Sequence, residues 1–253
     1  MSFATLSIDR PRQHVMLVTL NRPDVANAMN SQCGTDIMTL FEGLNLDGGD
    51  TRCVVLTGAG ERAFCAGADL KERKGMAPDE VRARRLAAYA AYGAIESLPM
   101  PAIAIVHGAA VGSGCDIAAC CDFVIATPVA TFATPEALWG TVGATQRLPR
   151  IFGKPLAKDM MFTGRKLTAE EARAAGLVTR IVEAAALDGV IAEIAKTIVA
   201  APQAALRQAK NCIDQGMELD SRGALALELQ AMEENIARDT WRAGMARFGG
   251  DKD

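Results

Sequence analysis

Two carboxylates, Asp116 and Glu136, lie in one glycine-rich stretch and are the residues best suited to do chemistry. An apolar run at 102–106, bounded by proline and glycine, predicts a strand, and Gly-Ser-Gly at 112–114 then opens a predicted helix, 115–121. A glycine-rich turn at a helix start leaves backbone N–H groups unpaired, with the positive end of the helix dipole behind them. Such a turn suits a bound or developing anion. Donors for negative charge beside two acids predict a site for acyl chemistry.

The same residues also fit a plainer interpretation, which this stretch alone leaves open. An acid such as Asp116 in a first helical turn often only complements the helix dipole. Thr134 and Pro135 form an ordinary helix start before Glu136, with Thr134 as the predicted N-cap and Pro135 as the first helical residue. A second stretch of sequence is therefore needed to choose between a catalytic and a structural role.

The composition excludes several classes of protein. The 253 residues are 50% hydrophobic, enough for a large core, and the net charge of −3 gives no general attraction to nucleic acid or to anionic membranes. The apolar runs are too short to span a bilayer, and the N-terminus lacks the pattern of a signal peptide. Seven cysteines without a CxxC motif predict reduced thiols in a cytoplasmic protein. His14 and His107 have no neighbours at metal-ligand spacing, so we expect no metal site.

Strands are predicted to fill the first two-thirds of the chain and helices the last third. Strands at 3–8 and 15–20 predict a hairpin that turns at 10–12, and Ser31 is the predicted cap of the first helix. Thr168 and Glu171 form a predicted capping box. Further strands are expected at 53–57, 63–65, 123–126, 131–132 and 181–182, and helices at 78–98, at 155–164 and in three apolar stripes over 187–198, 206–217 and 225–236.

Residues 63–72, Ala-Phe-Cys-Ala-Gly-Ala-Asp-Leu-Lys-Glu, closely resemble a signature of the crotonase (enoyl-CoA hydratase/isomerase) superfamily. The match runs in the family's order and at near-family spacing from about residue 3 to residue 182, and residues 239–248 are similar to its C-terminal region. Each motif is weak alone, whereas the ordered set is specific. The other landmarks are 20–23 with 27–28, 112–116 with 121–122, 135–136, 146–150, 163–165 and 176–178.

The resemblance implies an α/β fold, a crotonase-like spiral of strand-strand-helix (ββα) units with a C-terminal α-helical trimerisation region. We therefore expect an acyl-CoA-binding core at 1–198 and a helical oligomerisation region at 199–253. The family assembles as homotrimers or dimers of trimers and takes an acyl-CoA ligand. It uses neither a metal nor a redox cofactor, because the CoA thioester is itself the substrate.

Carried over residue by residue, the resemblance implies an oxyanion hole made by the backbone N–H groups of Ala68 and Ser113. Glu136 holds the position of the family's general acid/base, and Asp116 the position at which hydratases usually carry a second glutamate. In a hydratase the two carboxylates hold and activate one water, and a protonated carboxyl delivers a proton to the α-carbon. The expected contacts to CoA or substrate are Val25, Ala26, Ala66, Asp69, Leu70, Lys71 and Gly112.

Several departures from the family's pattern bear on the reaction. Asp116 is one methylene shorter than glutamate and also resembles the dienoyl-CoA isomerases, which move protons rather than add water. The loop at 140–145 is shorter than usual, so we expect it to lack the further acid that those isomerases carry. Ser113 replaces the family's usual glycine, and the chain ends soon after Phe248, without the basic tail that often helps to grip CoA.

The main prediction is an enoyl-CoA hydratase that adds water across the double bond of a 2-enoyl-CoA. The alternatives are an enoyl- or dienoyl-CoA double-bond isomerase, a carbon–carbon bond hydrolase of the same fold, and a non-catalytic trimeric scaffold. The class of short-chain dehydrogenases is rejected, because those enzymes need a Tyr-x-x-x-Lys pair and neither Tyr89 nor Tyr92 is followed by lysine at that spacing. RNA binding lacks a basic surface, since Arg82, Arg84 and Arg85 are interpreted as a solvated helix face. The acyl group and the pathway stay open.

Overall fold

The computed structural model describes residues 2–239, 241–242 and 244–245 and divides the strands between two sheets. The strands are β1 (Leu6–Arg12), β2 (Val15–Leu20), β3 (Cys53–Gly58), β4 (Ala63–Cys65), β5 (Ala102–Val106), β6 (Ala109–Val111), β7 (Phe123–Ala126), β8 (Thr131–Ala133), β9 (Leu167–Thr168) and β10 (Val178–Ile181). The larger sheet has the order β1-β2-β3-β5-β7-β10, and the smaller sheet has the order β4-β6-β8-β9.

Ten helices accompany these strands within the described residues. They are α1 (Ser31–Leu46), α2 (Leu70–Arg73), α3 (Pro78–Glu96), α4 (Ser113–Ala119), α5 (Arg147–Phe152), α6 (Lys154–Thr163), α7 (Ala169–Ala174), α8 (Leu187–Ala200), α9 (Gln203–Gly216) and α10 (Ser221–Ala237). Short 3₁₀ turns lie at Pro23–Val25, Glu136–Trp139 and Ala184–Ala186.

The chain places one strand in the large sheet, the next in the small sheet, and then a helix. This order repeats as β3-β4 before α2 and α3, as β5-β6 before α4, and as β7-β8 before α5. All pairs are parallel except β1 with β2 and β8 with β9. The predicted spiral of ββα units is confirmed. The parallel neighbours β4, β6 and β8 end at the same edge of the small sheet, and the site described below is formed by the residues that follow these ends.

The central strands are apolar without interruption because both faces of the large sheet are covered. In β5, Ala104 and Val106 face the main core, whereas Ile103 and Ile105 face a second core that includes Ile194 of α8. The apolar stripe predicted at 187–198 therefore lies on α8 and covers the outer face of the large sheet.

Two predicted boundaries in the N-terminal third are wrong. The hairpin turns after β1, at Gln13 and His14, because β1 continues through Arg12 and His14 takes a positive φ of 65°. The cap of α1 is Asn30 and not Ser31. The Asn30 side chain accepts from the N–H of Cys33, and the Ser31 N–H instead donates to the carboxylate of Glu72, 3.0 Å away.

Helices α9 and α10 pack on each other, and neither has a buried residue. Ile213 is 65% exposed and Met217 is 81% exposed, so the two predicted apolar stripes face outward here. Residues 239–248 were predicted to resemble the family's C-terminal region. Phe248 and the chain end lie outside the described residues. No helix in the described ranges is long and apolar enough to cross a membrane.

Candidate active site

Two glycines bring the loop at 66–69 against the start of α4. Gly67 has a φ of +90°, and a Cβ on it would lie 2.7 Å from the carbonyl oxygen of Val111 at the end of β6. Gly112 has a φ of +51°, and its Cβ would lie 2.7 Å from Oε1 of Glu136. Both positions combine left-handed backbone with a contact that a side chain would obstruct, so only glycine allows this approach.

The approach leaves two backbone donors, the N–H groups of Ala68 and Ser113, beside one cavity of about 140 Å³. Hydrogen bonds on either side of Ala68 fix its loop: the Met29 N–H donates to Gly67 at 2.8 Å, and the Asp69 N–H donates to Met29 at 2.9 Å. Over the residues that the structure describes, neither the Ala68 nor the Ser113 N–H donates a hydrogen bond. Unpaired N–H groups beside a cavity are suited to an oxygen that becomes negative.

Helix α4 starts at Ser113, earlier than the predicted 115–121, because the positive φ of Gly112 makes it the N-cap. Strand β6, which was not predicted, precedes it. Asp116 lies in the first turn of α4, as predicted, where it is only 4% exposed and lines the same cavity. Burial raises the pKa of Asp116 to about 6; the cation of Arg147 opposes this rise and the nearby Glu136 adds to it.

Glu136 stands on the 3₁₀ turn Glu136–Trp139 that follows β8 and not in the predicted α-helix. The N-cap of this turn is Pro135, and no side chain caps the turn. The prediction of Thr134 as the N-cap is therefore wrong. Oε2 of Glu136 is buried and has no hydrogen-bond partner within the described residues. Burial raises the pKa of Glu136, while its own backbone N–H and Arg85 act in the opposite direction. An unpaired buried carboxyl oxygen facing a cavity is available for a ligand or a water.

Arg147 connects Asp116 to the far end of α3. Its guanidinium donates to the carboxylate of Glu96 at 2.5 and 2.7 Å, and its Nη1 lies 4.0 Å from Oδ1 of Asp116. The same guanidinium covers the ring of Tyr92 at 5.4 Å from the centroid. Arg147 lies in the family landmark at 146–150, for which no role was predicted. The structure makes it the cation that partly balances the buried Asp116 charge.

The predicted substrate contacts divide into two groups. Ala66, Leu70 and Gly112 line the cavity together with the donors and acids. Val25 and Ala26 lie next to this wall, since the Ala66 N–H donates to the Ala26 carbonyl at 3.0 Å.

Asp69 and Lys71 do not line the cavity. The Asp69 carboxylate accepts from Arg22 at 3.1 Å and caps α2 through the N–H groups of Lys71 and Glu72. Burial works against ionisation of Asp69, but these hydrogen bonds outweigh it and lower the pKa. The carboxylate therefore stabilises the loop that carries Ala68, and the Lys71 side chain is exposed.

One face of α3 forms a further wall of the cavity, and this wall was not predicted. The predicted solvated face is right for Arg82, which is 70% exposed, and wrong for Arg84, which is 14% exposed and donates to Glu72 at 2.8 Å. Arg85 and Tyr89 also line the cavity. The wall residues of α3 recur at intervals of three and four, at positions 81, 84, 85, 88, 89 and 92. This spacing is typical of one helix face and was the signal available in the sequence.

Comparisons with known proteins identify the family to which the chain is similar. The sequence model of the enoyl-CoA hydratase/isomerase family matches residues 10–252. The chain is 39% identical to the putative enoyl-CoA hydratase/isomerase YngF of Bacillus subtilis over 93% of this chain and 92% of that protein. It is 38% identical to a short-chain-enoyl-CoA hydratase of Clostridium acetobutylicum over 92% and 90%.

A solved structure gives the same result. The crystal structure of an enoyl-CoA hydratase from Bacillus anthracis superimposes with a TM-score of 0.88 at 37% identity, covering 92% of this chain and 91% of that one. The family match over most of the chain, the shared fold and the ordered sequence landmarks lead to one conclusion. The chain belongs to the enoyl-CoA hydratase/isomerase family, the crotonase superfamily.

Proposed function

We propose that the protein is an enoyl-CoA hydratase that adds water across the double bond of a 2-enoyl-CoA. The oxygen of water forms a bond to the β-carbon, and a proton is added to the α-carbon. Hydratases among its relatives support the activity. The observation that carries the proposal is the convergence on one cavity of two unpaired backbone N–H groups, from Ala68 and Ser113, with the buried acid Asp116 and the half-buried acid Glu136.

The two N–H groups act on the thioester carbonyl. When water attacks the β-carbon, electron density moves through the α-carbon to the carbonyl oxygen, and the resulting enolate needs preorganised donors. Losing one such donor typically lowers the rate by about 10²–10³. The donors at Ala68 and Ser113 belong to the backbone, so serine in place of the family's usual glycine preserves the hole.

The two acids divide the proton transfers. Burial raises the pKa of Asp116 to about 6 and also raises the pKa of Glu136, and in both acids it favours the protonated form that can donate a proton. Glu136 supplies a proton to the α-carbon and Asp116 helps to hold the attacking water. Asp116 also lines a second, more open cavity with Glu96 and Arg147, which gives water a route to this acid when CoA fills the first.

A double-bond isomerase is the second candidate, favoured by the identity of Asp116. An aspartate at this position lies one methylene farther from a shared water than glutamate. If Asp116 accepts a proton directly from the acyl chain, it moves the double bond without adding water.

Isotope-labelled water distinguishes hydration from isomerisation. A panel of enoyl- and dienoyl-CoA esters is incubated in water enriched in heavy oxygen, and in a second series in deuterium oxide, and the products are analysed by mass spectrometry. Heavy oxygen in the product supports hydration, and deuterium without heavy oxygen supports isomerisation. Neither label with any ester would contradict both and favour the scaffold.

Variants at Asp116 sharpen this experiment. In a hydratase, Asp116→Asn lowers oxygen incorporation about 10²–10⁴-fold and leaves exchange of the α-proton measurable, because exchange needs only Glu136 and the oxyanion hole. In an isomerase the same variant loses double-bond migration. Wild-type rates in Asp116→Asn would remove both roles and leave Asp116 as a helix-dipole acid.

The remaining parts of the proposal concern assembly and setting. We propose a core at 1–198 and a helical region at 199–253 that makes a homotrimer or a dimer of trimers. The exposed apolar side chains of α9 and α10, including Leu225 and Ile236, support a subunit contact there. The chemistry needs no metal and no redox cofactor. Seven free cysteines, six of them buried, support a cytoplasmic setting.

A further inference from the structure

Arg85 places a positive charge inside the candidate active site. It lies on the face of α3 that lines the cavity, and its side chain reaches the loop beside Glu136. A Cβ added to Gly143 would lie 3.3 Å from Nη2 of Arg85 and 3.4 Å from Cγ of Glu136. The guanidinium and the proposed proton donor therefore border the same small volume.

The guanidinium of Arg85 lacks the partners that its neighbours have. Arg82 pairs with Asp79 in solvent, and Arg84 pairs with Glu72 at 2.8 Å. Within the described ranges, Arg85 has no carboxylate within 4 Å and donates no hydrogen bond; its closest aromatic contact is the ring of Tyr89, 5.9 Å away. A half-buried guanidinium that lines a cavity and has no paired carboxylate is suited to bidentate binding of an anion.

The position of Arg85 along the substrate indicates which anion this is. The thioester oxygen is placed at the Ala68 and Ser113 N–H groups, and the reacting carbons lie beside Glu136. A guanidinium next to Glu136 is then placed to contact the acyl chain beyond the double bond. Around it, Val81, Ala88 and Trp139 line the cavity with apolar surface, which strengthens an ion pair.

We infer that Arg85 selects a substrate whose short acyl chain ends in a carboxylate. This inference rests on the proposed function, and it names the class of 2-enoyl-CoA that the enzyme takes. The carboxylate forms a charge-assisted pair with the guanidinium, which fixes the double bond beside Glu136 before water attacks. An enoyl-CoA with an apolar end leaves the guanidinium unpaired and binds less well.

Two other roles for Arg85 are physically reasonable and predict different results. If Arg85 acts only on the charge of Glu136, its loss changes the rates of all substrates together. If it binds a phosphate of CoA, its loss weakens free CoA and all its esters equally. Only recognition of the acyl end changes the preference between two esters that differ at that end.

The test compares the five-carbon 2-enoyl-CoA ending in a carboxylate with the terminal amide of the same chain, which has the same shape and no charge. We expect the wild type to prefer the carboxylate in kcat/KM. The ratio of the two kcat/KM values should fall about 10- to 100-fold in Arg85→Gln, the effect of a charge-assisted hydrogen bond. Arg82→Gln, on the solvent side of the same helix, is the matched control and should keep the wild-type ratio.

A binding measurement supplies a second readout that does not need turnover. Calorimetry with the saturated five-carbon acyl-CoA ending in a carboxylate, with its amide and with free CoA should show a loss in Arg85→Gln for the carboxylate alone. An unchanged ratio in Arg85→Gln, or equal weakening of all three ligands, would overturn the inference. If the wild type hydrates neither ester nor crotonyl-CoA, the proposed function fails instead. Hydration of crotonyl-CoA and the amide with no preference for the carboxylate refutes the inference alone.

Discussion

Replacing Asp116 by asparagine should stabilise the protein at neutral pH while it impairs catalysis. Burial raises the pKa of this carboxyl from an ordinary 3.8 to about 6, even though Arg147 partly balances its charge. A difference of this size corresponds to about 3 kcal/mol between the ionised and the neutral folded forms. Because the pKa is raised on folding, the associated stability is present below pH 3.8 and is lost as the pH rises through about 6. Asparagine fills nearly the same space without a charge, so it avoids this loss.

The assay is urea unfolding of the wild type and Asp116→Asn at a fixed protein concentration, followed by circular dichroism from pH 4 to pH 8. The free energy of unfolding of the variant should exceed that of the wild type by up to about 3 kcal/mol at pH 8, and the difference should vanish towards pH 4. This is large against a total stability of about 5–15 kcal/mol.

Asp36→Asn is a control with the opposite sign. Asp36 is buried, yet its bonds from Thr5 at 2.7 and 2.9 Å outweigh burial and lower its pKa. Its stabilisation is present above the ordinary carboxyl pKa and lost as the pH falls, so Asp36→Asn should be least stable relative to wild type at neutral pH. If Asp116→Asn is no more stable than wild type at pH 8, or if the two variants show the same pH trend, the electrostatic argument for Asp116 is refuted.

Three further predictions use the same site and surface. Glu136→Gln should lose at least about 10²-fold in hydration rate yet keep CoA-ester affinity by calorimetry, because binding lies on the Ala66 side; loss of both would contradict this division. Gly112→Ala should abolish activity and lower the midpoint of thermal unfolding, since its Cβ meets Oε1 of Glu136 at 2.7 Å and its φ is +51°, whereas Gly189→Ala in α8, with open space around it, should be neutral or stabilising. Light scattering at micromolar concentration should give more than one chain mass, and a single 26.7 kDa species would argue against the proposed trimer.

Local patterns in the sequence predicted the fold well where the controlling contacts are also local. The capping box at Thr168 is present, with both reciprocal hydrogen bonds to Glu171. The apolar run at 102–106 became a fully buried strand, and the spiral followed from the ordered landmarks. In the capping box and the strand, residues a few positions apart determine the structure, so their spacing is informative, whereas the spiral was implied by the family resemblance.

The predictions failed where a contact comes from a distant part of the chain. Ser31 has a good capping side chain, but Glu72 takes its N–H and Asn30 becomes the cap. Arg84 belongs to a polar helix stretch, yet Glu72 draws it into the wall of the cavity. Burial raises the pKa of Asp116, and the cation that opposes this rise, Arg147, lies 31 residues farther along the chain. In each case the partner residue is distant in sequence, so local spacing does not identify it, even though the helical period of the α3 wall is visible in the sequence.

The glycines at 67 and 112 have a consequence for how this site tolerates change. The proposed donors belong to the main chain at 68 and 113, so the side chains at those two positions are free to vary within the available space. The glycine before each donor is not, because its backbone conformation excludes other residues. Random variation should thus produce two intolerant positions, each followed by a permissive one. A lineage that acquires a new reaction can then exchange the acids and the α3 wall while the apparatus that polarises the thioester is inherited intact.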